Sequence, residues 1–159
     1  MLQPIPYLSF DGNCAEAMRF YAATLGGKLG MMSNRQSLFA GKCLREHLDR
    51  IAYARLELDG ELFLCAGDCP PERPYEEMPG IVLALSYENV SNAEQTFSDL
   101  GQGGQIIMSF DSAFWAEKFG MVIDQFGCGW AVNGRLIDLK LEGEDPTSSA
   151  NAIVCLTNA

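Results

Sequence analysis

The chain has 159 residues, 48% of them hydrophobic and 20% charged, which fits one globular domain with its own core. Its formal net charge is −10 and it holds only 11 Lys and Arg, so binding to nucleic acid is not expected, because phosphates are neutralised by clustered basic side chains. No run of 18 apolar residues and no signal-peptide pattern is present, so we expect a cytoplasmic protein with no membrane partner.

An internal repeat divides the sequence into two halves. Residues 5–31 align without a gap on residues 82–108, and the identical pairs include Phe20 with Phe97. Each copy has the pattern of a strand, an amphipathic helix and a second strand. The repeat therefore predicts the same local fold twice.

Helix boundary signals follow the first strand of each copy. We predict these strands over residues 5–10 and 82–87, where the residues are mostly apolar or aromatic. Asn13 and Ser91 are the predicted N-caps, because each has a Glu three residues later. Glycines follow both helices, which is typical of helix C-termini.

Two more strands are predicted in each half, over 51–58 and 62–66 and over 119–124 and 129–133. Each half thus has the order β-α-β-β-β, and the fold class is α+β. The linker between the halves contains four prolines. The predicted organisation is a domain over 1–133, with module one at 3–68, a linker at 69–79 and module two at 80–133, followed by a C-terminal extension at 134–159.

The segments PYLSFDGNCAEAMRFYAATLGG (6–27) and FWAEKFGMVIDQFGCGWAVN (114–133) resemble the vicinal-oxygen-chelate superfamily, which includes glyoxalase I, bleomycin-resistance proteins and extradiol dioxygenases. Within it the sequence is similar to the PhnB-like branch, also labelled demethylubiquinone methyltransferase-like. The resemblance covers residues 3–133. It implies that the two modules form a curved eight-stranded mixed sheet around a cavity, with helices on the outside, and that the protein is a homodimer.

The resemblance also implies where a metal would bind, on the first and last strands of each module. Those positions map, to within a residue, onto Ile5, Leu64, Val82 and Ala131, which have no donor atoms in their side chains. One residue away, Cys65 is the single possible ligand, and one thiolate is too few for zinc or iron.

Other residues also depart from the catalytic patterns. The histidine that the PhnB-like branch usually has on its third strand is replaced by Tyr53, and the chain's one histidine, His47, lies outside the predicted strands. The six cysteines are dispersed and are interpreted as structural thiols. No GxGxxG turn follows a strand, so methyl transfer is not expected. We expect no metal and no other cofactor.

Strand alternation points to a binding surface. Ala54 and Leu56 should face the helices, whereas Tyr53, Arg55 and Glu57 should face the cavity. The predicted ligand-binding residues are Tyr7, Ser9, Tyr53, Arg55, Glu57, Ser86 and Trp115. Arg55 and Glu57 could instead pair with each other or with a neighbouring strand. Asp124 is interpreted as a turn former rather than a base, and no catalytic residue is assigned.

These features favour a metal-free protein that binds or sequesters a small organic molecule, as the bleomycin-resistance members do. The alternative is a superfamily enzyme, such as a lyase, isomerase or dioxygenase-like protein, with an atypical or metal-independent site. A third possibility is an interaction module in which the C-terminal extension takes part.

Overall fold

A computed structural model describes residues 4–38, 40–70, 73, 75–76 and 80–138. The chain divides into two compact units, Met1–Glu77 and Met78–Ala159. Within the described residues, each unit holds one α-helix and one four-stranded mixed sheet. The α+β class and the two βαβββ modules are therefore confirmed. Among the described residues, no helix combines the length and the apolar composition needed to cross a membrane.

Module one consists of β1 Tyr7–Phe10, α1 Cys14–Leu25, β2 Lys28–Ser33, β3 Ile51–Leu58 and β4 Glu61–Asp68. Its four strands have the order β1-β4-β3-β2, with β1 parallel to β4 and the other pairs antiparallel. Two short 3-10 helices, Asn34–Gln36 and Arg45–His47, lie between β2 and β3.

Module two consists of β5 Val82–Tyr87, α2 Val90–Gly101, β6 Gln105–Asp111, β7 Ala116–Ile123 and β8 Gly129–Leu136. It repeats the topology of module one, with the strand order β5-β8-β7-β6 and a parallel β5–β8 pair. The N-cap of α2 is Asn89, whose side chain accepts a hydrogen bond from the Asn92 amide, so the prediction of Ser91 was wrong. Asn89 offers the same type of capping oxygen two residues earlier.

The core of module one lies between α1 and one face of its sheet. Met18 and Tyr21 of α1 and Leu56 and Leu64 of the sheet are fully buried. The buried positions of α1 recur every three or four residues, as expected for a helix with one apolar face. After the helix, a side chain at Gly27 would overlap the backbone carbonyl of Glu57, so glycine permits the close approach of β2 to β3.

The Asp68 carboxylate ties three parts of module one together. It accepts hydrogen bonds from the Gly12 amide at 2.9 Å and the Cys14 amide at 3.0 Å, and from the Ile51 amide at 2.7 Å. Asn13 makes no side-chain hydrogen bond to the helix end. The side chain of the last residue of β4 therefore accepts hydrogen bonds from amides at the start of α1, which would otherwise lack partners.

The core of module two is built around Trp130, which is fully buried in the module together with Leu100 and Val122. The Phe97 ring of α2 lies against Gly120 of β7, where a side chain would overlap the ring. The absence of a side chain at that position lets the helix approach the sheet.

Asp124 organises the turn between β7 and β8. Its Oδ1 accepts hydrogen bonds from the Phe126 amide at 2.8 Å and the Cys128 amide at 3.0 Å, and its Oδ2 accepts one from the Trp130 indole at 2.8 Å. The carboxylate is 3% exposed. This geometry supports the interpretation of Asp124 as a turn former.

Replacing Asp124 by alanine should destabilise the protein by about 3 kcal/mol, because it removes a charged acceptor from buried amides and from the core indole. Urea unfolding measures the loss. The control is Asp99→Ala, which removes a half-buried carboxylate that accepts hydrogen bonds from the side chains of Gln95 and Gln102. This variant should change stability by less than about 0.5 kcal/mol. Equal losses in both variants would contradict the role given to Asp124.

Candidate functional site

In module one, one face of the sheet packs on α1. The side chains that alternate along each strand with the core residues lie on the opposite face. In β3, Ala54 and Leu56 are fully buried, whereas Tyr53 is 41% exposed. We call this opposite side the open face of module one. Register places Arg55 of β3 beside Cys65 of β4, and Cys65 beside Tyr7 of β1, so these three residues form one row across three strands.

The centre of the open face is a contact between Tyr53 and Cys65. The Tyr53 hydroxyl lies 3.2 Å from the Cys65 sulfur. This hydrogen bond is the main cause that raises the pKa of Tyr53 above its ordinary value, with desolvation and the Cys65 charge adding to it and the Arg55 charge opposing it. A raised pKa fits a hydroxyl that donates to the sulfur, since ionisation would abolish that bond.

Tyr7 lies across the backbone of the neighbouring strand. A side chain at Gly67 would overlap the Tyr7 hydroxyl, so the tyrosine occupies the space that Gly67 leaves empty. Burial is the main cause that raises the pKa of Tyr7, and nearby thiols and Asp68 act in the same direction. The ring is still 51% exposed. It therefore offers apolar surface next to a hydroxyl that is protonated at neutral pH.

Arg55 and Glu57 form an ion pair within β3, with Nε and Oε1 3.2 Å apart. The structure thus selects the alternative in which they pair with each other. The Arg55 side chain is 54% exposed and that of Glu57 22%, so the guanidinium remains accessible from solvent.

Ser9 lies two residues after Tyr7 in β1, opposite Gly67 of β4. All five residues predicted in module one lie on this open face.

A hydrogen-bond network crosses the corresponding face of module two, which we call its open face. Ser86 of β5 and Asn133 of β8 are neighbours in the parallel ladder. The Asn133 amide nitrogen donates to the Leu85 carbonyl at 3.2 Å and to the Ser86 hydroxyl at 3.3 Å, and Asn133 Oδ1 accepts from the Trp115 indole at 3.1 Å. The two residues predicted here, Ser86 and Trp115, are therefore joined through Asn133.

Aromatic rings extend this network. Trp115 packs edge-to-face on Phe119, with ring centroids 4.9 Å apart, and on Phe114 at 4.7 Å. Phe119 pairs with Asn133 in the β7–β8 ladder. Because Asn133 holds the indole nitrogen, the tryptophan plane is fixed rather than free to rotate. This arrangement provides a rigid aromatic surface of the kind that small organic ligands contact.

Sequence reasoning missed Asn133 and underestimated Cys65. The sequence predicts Asn133 only as the last residue of a strand, and Cys65 as a structural thiol that could at most supply one metal ligand. The available signal was register: in a parallel pair, Asn133 lies beside Ser86 once β5 and β8 are aligned. His47 lies in the second 3-10 helix, between β2 and β3, with Glu46 3.5 Å away, outside the strands as predicted.

The residues at the expected metal positions do not fit a divalent ion. Leu64 is fully buried on the helix side of its sheet, and Val82 and Ala131 contribute hydrocarbon side chains. Within the described residues, no three His, Cys, Asp or Glu side chains gather into a possible metal site. The polar groups of the open faces are hydroxyls, an amide, a thiol, a guanidinium and the Glu57 carboxylate paired with it, a set that can form hydrogen bonds with organic molecules.

Removing the Cys65 sulfur should lower the pKa of Tyr53 toward its ordinary value, because the hydrogen bond that favours the neutral hydroxyl is lost. The Cys65→Ala variant can be titrated by NMR with tyrosine labelled at the carbon bearing the hydroxyl. Cys128→Ala, a thiol removal in module two, is the control and should leave Tyr53 unchanged. An unchanged or higher Tyr53 pKa in Cys65→Ala would show that the contact does not control the hydroxyl.

Comparisons with known proteins agree with this geometry. The model of the family described as 3-demethylubiquinone-9 3-methyltransferase matches residues 3–133. The chain is 31% identical to protein YjdN of Escherichia coli strain K12 over 137 residues, which cover 80% of this chain and 92% of that protein.

Solved structures show the same fold. Protein PA1353 from Pseudomonas aeruginosa is 38% identical, with a TM-score of 0.78 over 85% of this chain and 98% of that one. The glyoxylase/bleomycin resistance protein/dioxygenase domain from Frankia sp. EAN1pec is 15% identical, with a TM-score of 0.58 over 91% of this chain and 95% of that one, and this likeness concerns the fold alone. The family match and the relative from Escherichia coli confirm the resemblance to the demethylubiquinone methyltransferase-like branch, and the solved structures confirm the fold.

Proposed function

Because this chain belongs to the 3-demethylubiquinone-9 3-methyltransferase family and has a glyoxalase-type fold, we propose that it binds small organic molecules without a metal ion. The proposal rests on the side chains of the open faces. These faces offer fixed aromatic rings and hydrogen-bonding groups, while the positions expected to bind a metal have hydrocarbon side chains.

The open face of module one suits a planar ligand with polar substituents. Tyr7 and Tyr53 provide ring surface. Their hydroxyls are protonated at neutral pH, since the ordinary pKa of tyrosine already lies well above neutrality and is raised further at both residues. Arg55 adds a planar cation that can stack on a ring or donate to an oxygen. Since Glu57 partly offsets this charge, we expect a neutral or weakly charged ligand rather than a strongly anionic one.

The open face of module two suits contact with an aromatic or apolar group. The Asn133 amide fixes Trp115, and Ser86 is 6% exposed, so the accessible surface there is mainly aromatic. Fixed rings lose little conformational entropy when a ligand binds, which favours affinity. Sequestration needs only such binding, and no reacting group is required.

An enzyme is the second candidate, and the charge of Arg55 close to the Tyr53 hydroxyl favours it. The hydroxyl is protonated at neutral pH, as tyrosine ordinarily is, so it can donate a proton, and Arg55 would stabilise negative charge on a bound molecule. In this version Tyr53 and Glu57 handle protons. If replacing both residues left a measured turnover unchanged, this metal-independent chemistry would be excluded.

Ligand binding is tested by a thermal-shift screen of small planar aromatic compounds on chelator-treated full-length protein. We expect at least one compound to raise the midpoint of unfolding, with the rise following its concentration, because a ligand that binds the folded state stabilises it. Elemental analysis of the untreated protein is done in parallel. A stoichiometric divalent ion whose removal abolishes binding would refute the metal-free proposal.

Arg55→Gln should weaken the binding of a compound found in that screen about 10- to 100-fold, because one hydrogen bond from a charged donor is lost. Arg35→Gln is the matched control. Arg35 is 58% exposed and pairs with Asp49 at 2.9 Å, so it resembles Arg55 in exposure and pairing but lies outside the open face. Isothermal titration gives both dissociation constants. Equal effects, or none in either variant, would mean that the compound does not bind beside Arg55.

A further inference from the structure

The row of the open face that contains Tyr7, Cys65 and Arg55 ends at a glycine. Gly30 of β2 is the antiparallel partner of Arg55, so it completes the row across all four strands of module one. A side-chain carbon added at Gly30 would lie 3.5 Å from both Cγ and Nε of Arg55, which is an ordinary contact distance. Apart from its neighbours in β2, no other described residue would come within 4 Å of that carbon. The guanidinium of Arg55 therefore has free space beside it on the sheet.

A second basic side chain lies on the same face, at Lys28. Lys28 precedes Gly30 by two residues in β2, so both positions belong to the same side of the sheet. Its partner in β3 is Glu57, and directly opposite residues of antiparallel strands have Cβ atoms roughly 5 Å apart. Lys28 is exposed. In the described part of the chain, Glu57 pairs with Arg55, and no carboxylate forms an ion pair with Lys28.

This end of the open face is positively charged, although the chain as a whole is acidic. Arg55 and Lys28 supply two positive charges and Glu57 one negative charge, so one positive charge remains. The whole chain has 21 Asp and Glu against 11 Lys and Arg, so a local excess of positive charge is contrary to its average composition. The Arg55 charge also acts on the Tyr53 hydroxyl. The basic end is thus adjacent to the aromatic part of the same face.

We propose that Lys28 and Arg55 bind the carboxylate of a planar aromatic ligand in the space over Gly30, while the ring of the ligand lies on Tyr7 and Tyr53. This inference rests on the function proposed above and narrows its ligand class to aromatic monocarboxylates. A guanidinium can donate two parallel hydrogen bonds to one carboxylate, and an ammonium adds a point charge from another direction. The two basic side chains therefore have complementary roles at one site.

Glu57 limits the charge of the ligand. Its closest approach to Arg55 is at Nε, 3.2 Å from its Oε1, and a bound carboxylate would use the terminal nitrogens of the guanidinium. One negative charge on the ligand balances the positive charge that remains after the Arg55–Glu57 pair and Lys28 are counted. A second negative charge would lie close to Glu57 with no further cation to offset the repulsion. The site thus favours a single carboxylate over a dianion.

Cinnamate and cinnamamide test the proposal, because both are planar aromatic compounds and they differ by one negative charge. Isothermal titration of the full-length wild type should give a dissociation constant about tenfold lower for cinnamate, since its acceptor is charged. Lys28→Gln should reduce this preference to about twofold by weakening cinnamate alone, because loss of one exposed ion pair costs up to about fivefold. Lys42→Gln is the matched control: it changes the net charge equally at an exposed position outside the strands and should keep the preference.

Gly30→Val fills the proposed space without changing any charge. It should weaken the binding of cinnamate about tenfold or more, because the valine side chain occupies the position of the carboxylate. The fold should be retained, since the added carbon makes ordinary contacts and β-branched residues are favoured in strands. The midpoint of thermal unfolding checks this, and a variant that binds cinnamate as the wild type does would contradict the placement over Gly30.

The outcomes separate this inference from the function on which it rests. A preference for cinnamate that is lost in Lys28→Gln and kept in Lys42→Gln supports the carboxylate site. Equal affinities of the wild type for the two compounds, or a preference that persists in Lys28→Gln, would overturn the site while leaving planar organic molecules as ligands. Equal losses in both lysine variants would assign the preference to overall charge and overturn it too. If neither compound binds, the site is refuted, and the thermal-shift screen decides the broader function separately.

Discussion

Packing of one helix on one face of a four-stranded sheet is the constraint on which each module depends. Side chains alternate along a strand, so burying Leu56 and Leu64 under α1 forces Tyr53, Arg55 and Cys65 onto the other side. The same rule in module two separates the buried Trp130 from the open face. Every second residue of each strand therefore determines the chemistry of the open face. Substitutions at those positions leave the packing of the core unchanged.

Strand and helix periodicity was sufficient to predict the two βαβββ modules and the side of β3 on which Tyr53, Arg55 and Glu57 lie. It did not reveal contacts that depend on register and on loops. Asp68, which caps α1 from the far end of β4, is separated from Cys14 by most of the module, so no local pattern predicts the contact. Asn133 was missed for the same reason, because its partners Ser86 and Trp115 come from a different strand and from a loop.

Comparison of equivalent rows shows how the two open faces differ. The row Tyr7–Cys65 in module one corresponds, through the repeat, to the pair Ala84–Ala131 in module two, where no polar side chain remains. In the next row, Ser9 faces Gly67 in module one, whereas Ser86 faces Asn133 in module two. The polar groups are thus displaced by one row between the halves. The halves share a backbone plan but offer different chemistry, as expected when a scaffold keeps its core and varies its surface.

The separate core of each module has an evolutionary consequence. After an ancestral duplication, a substitution on the open face of one half leaves the packing of the other half intact, so the two copies can diverge independently. Tyr7 illustrates this freedom, because the space it occupies over Gly67 exists in the first copy alone: the second has Asn133 at the equivalent position. A recognition surface could therefore be altered in one copy by few mutations, while the other retained its ancestral specificity.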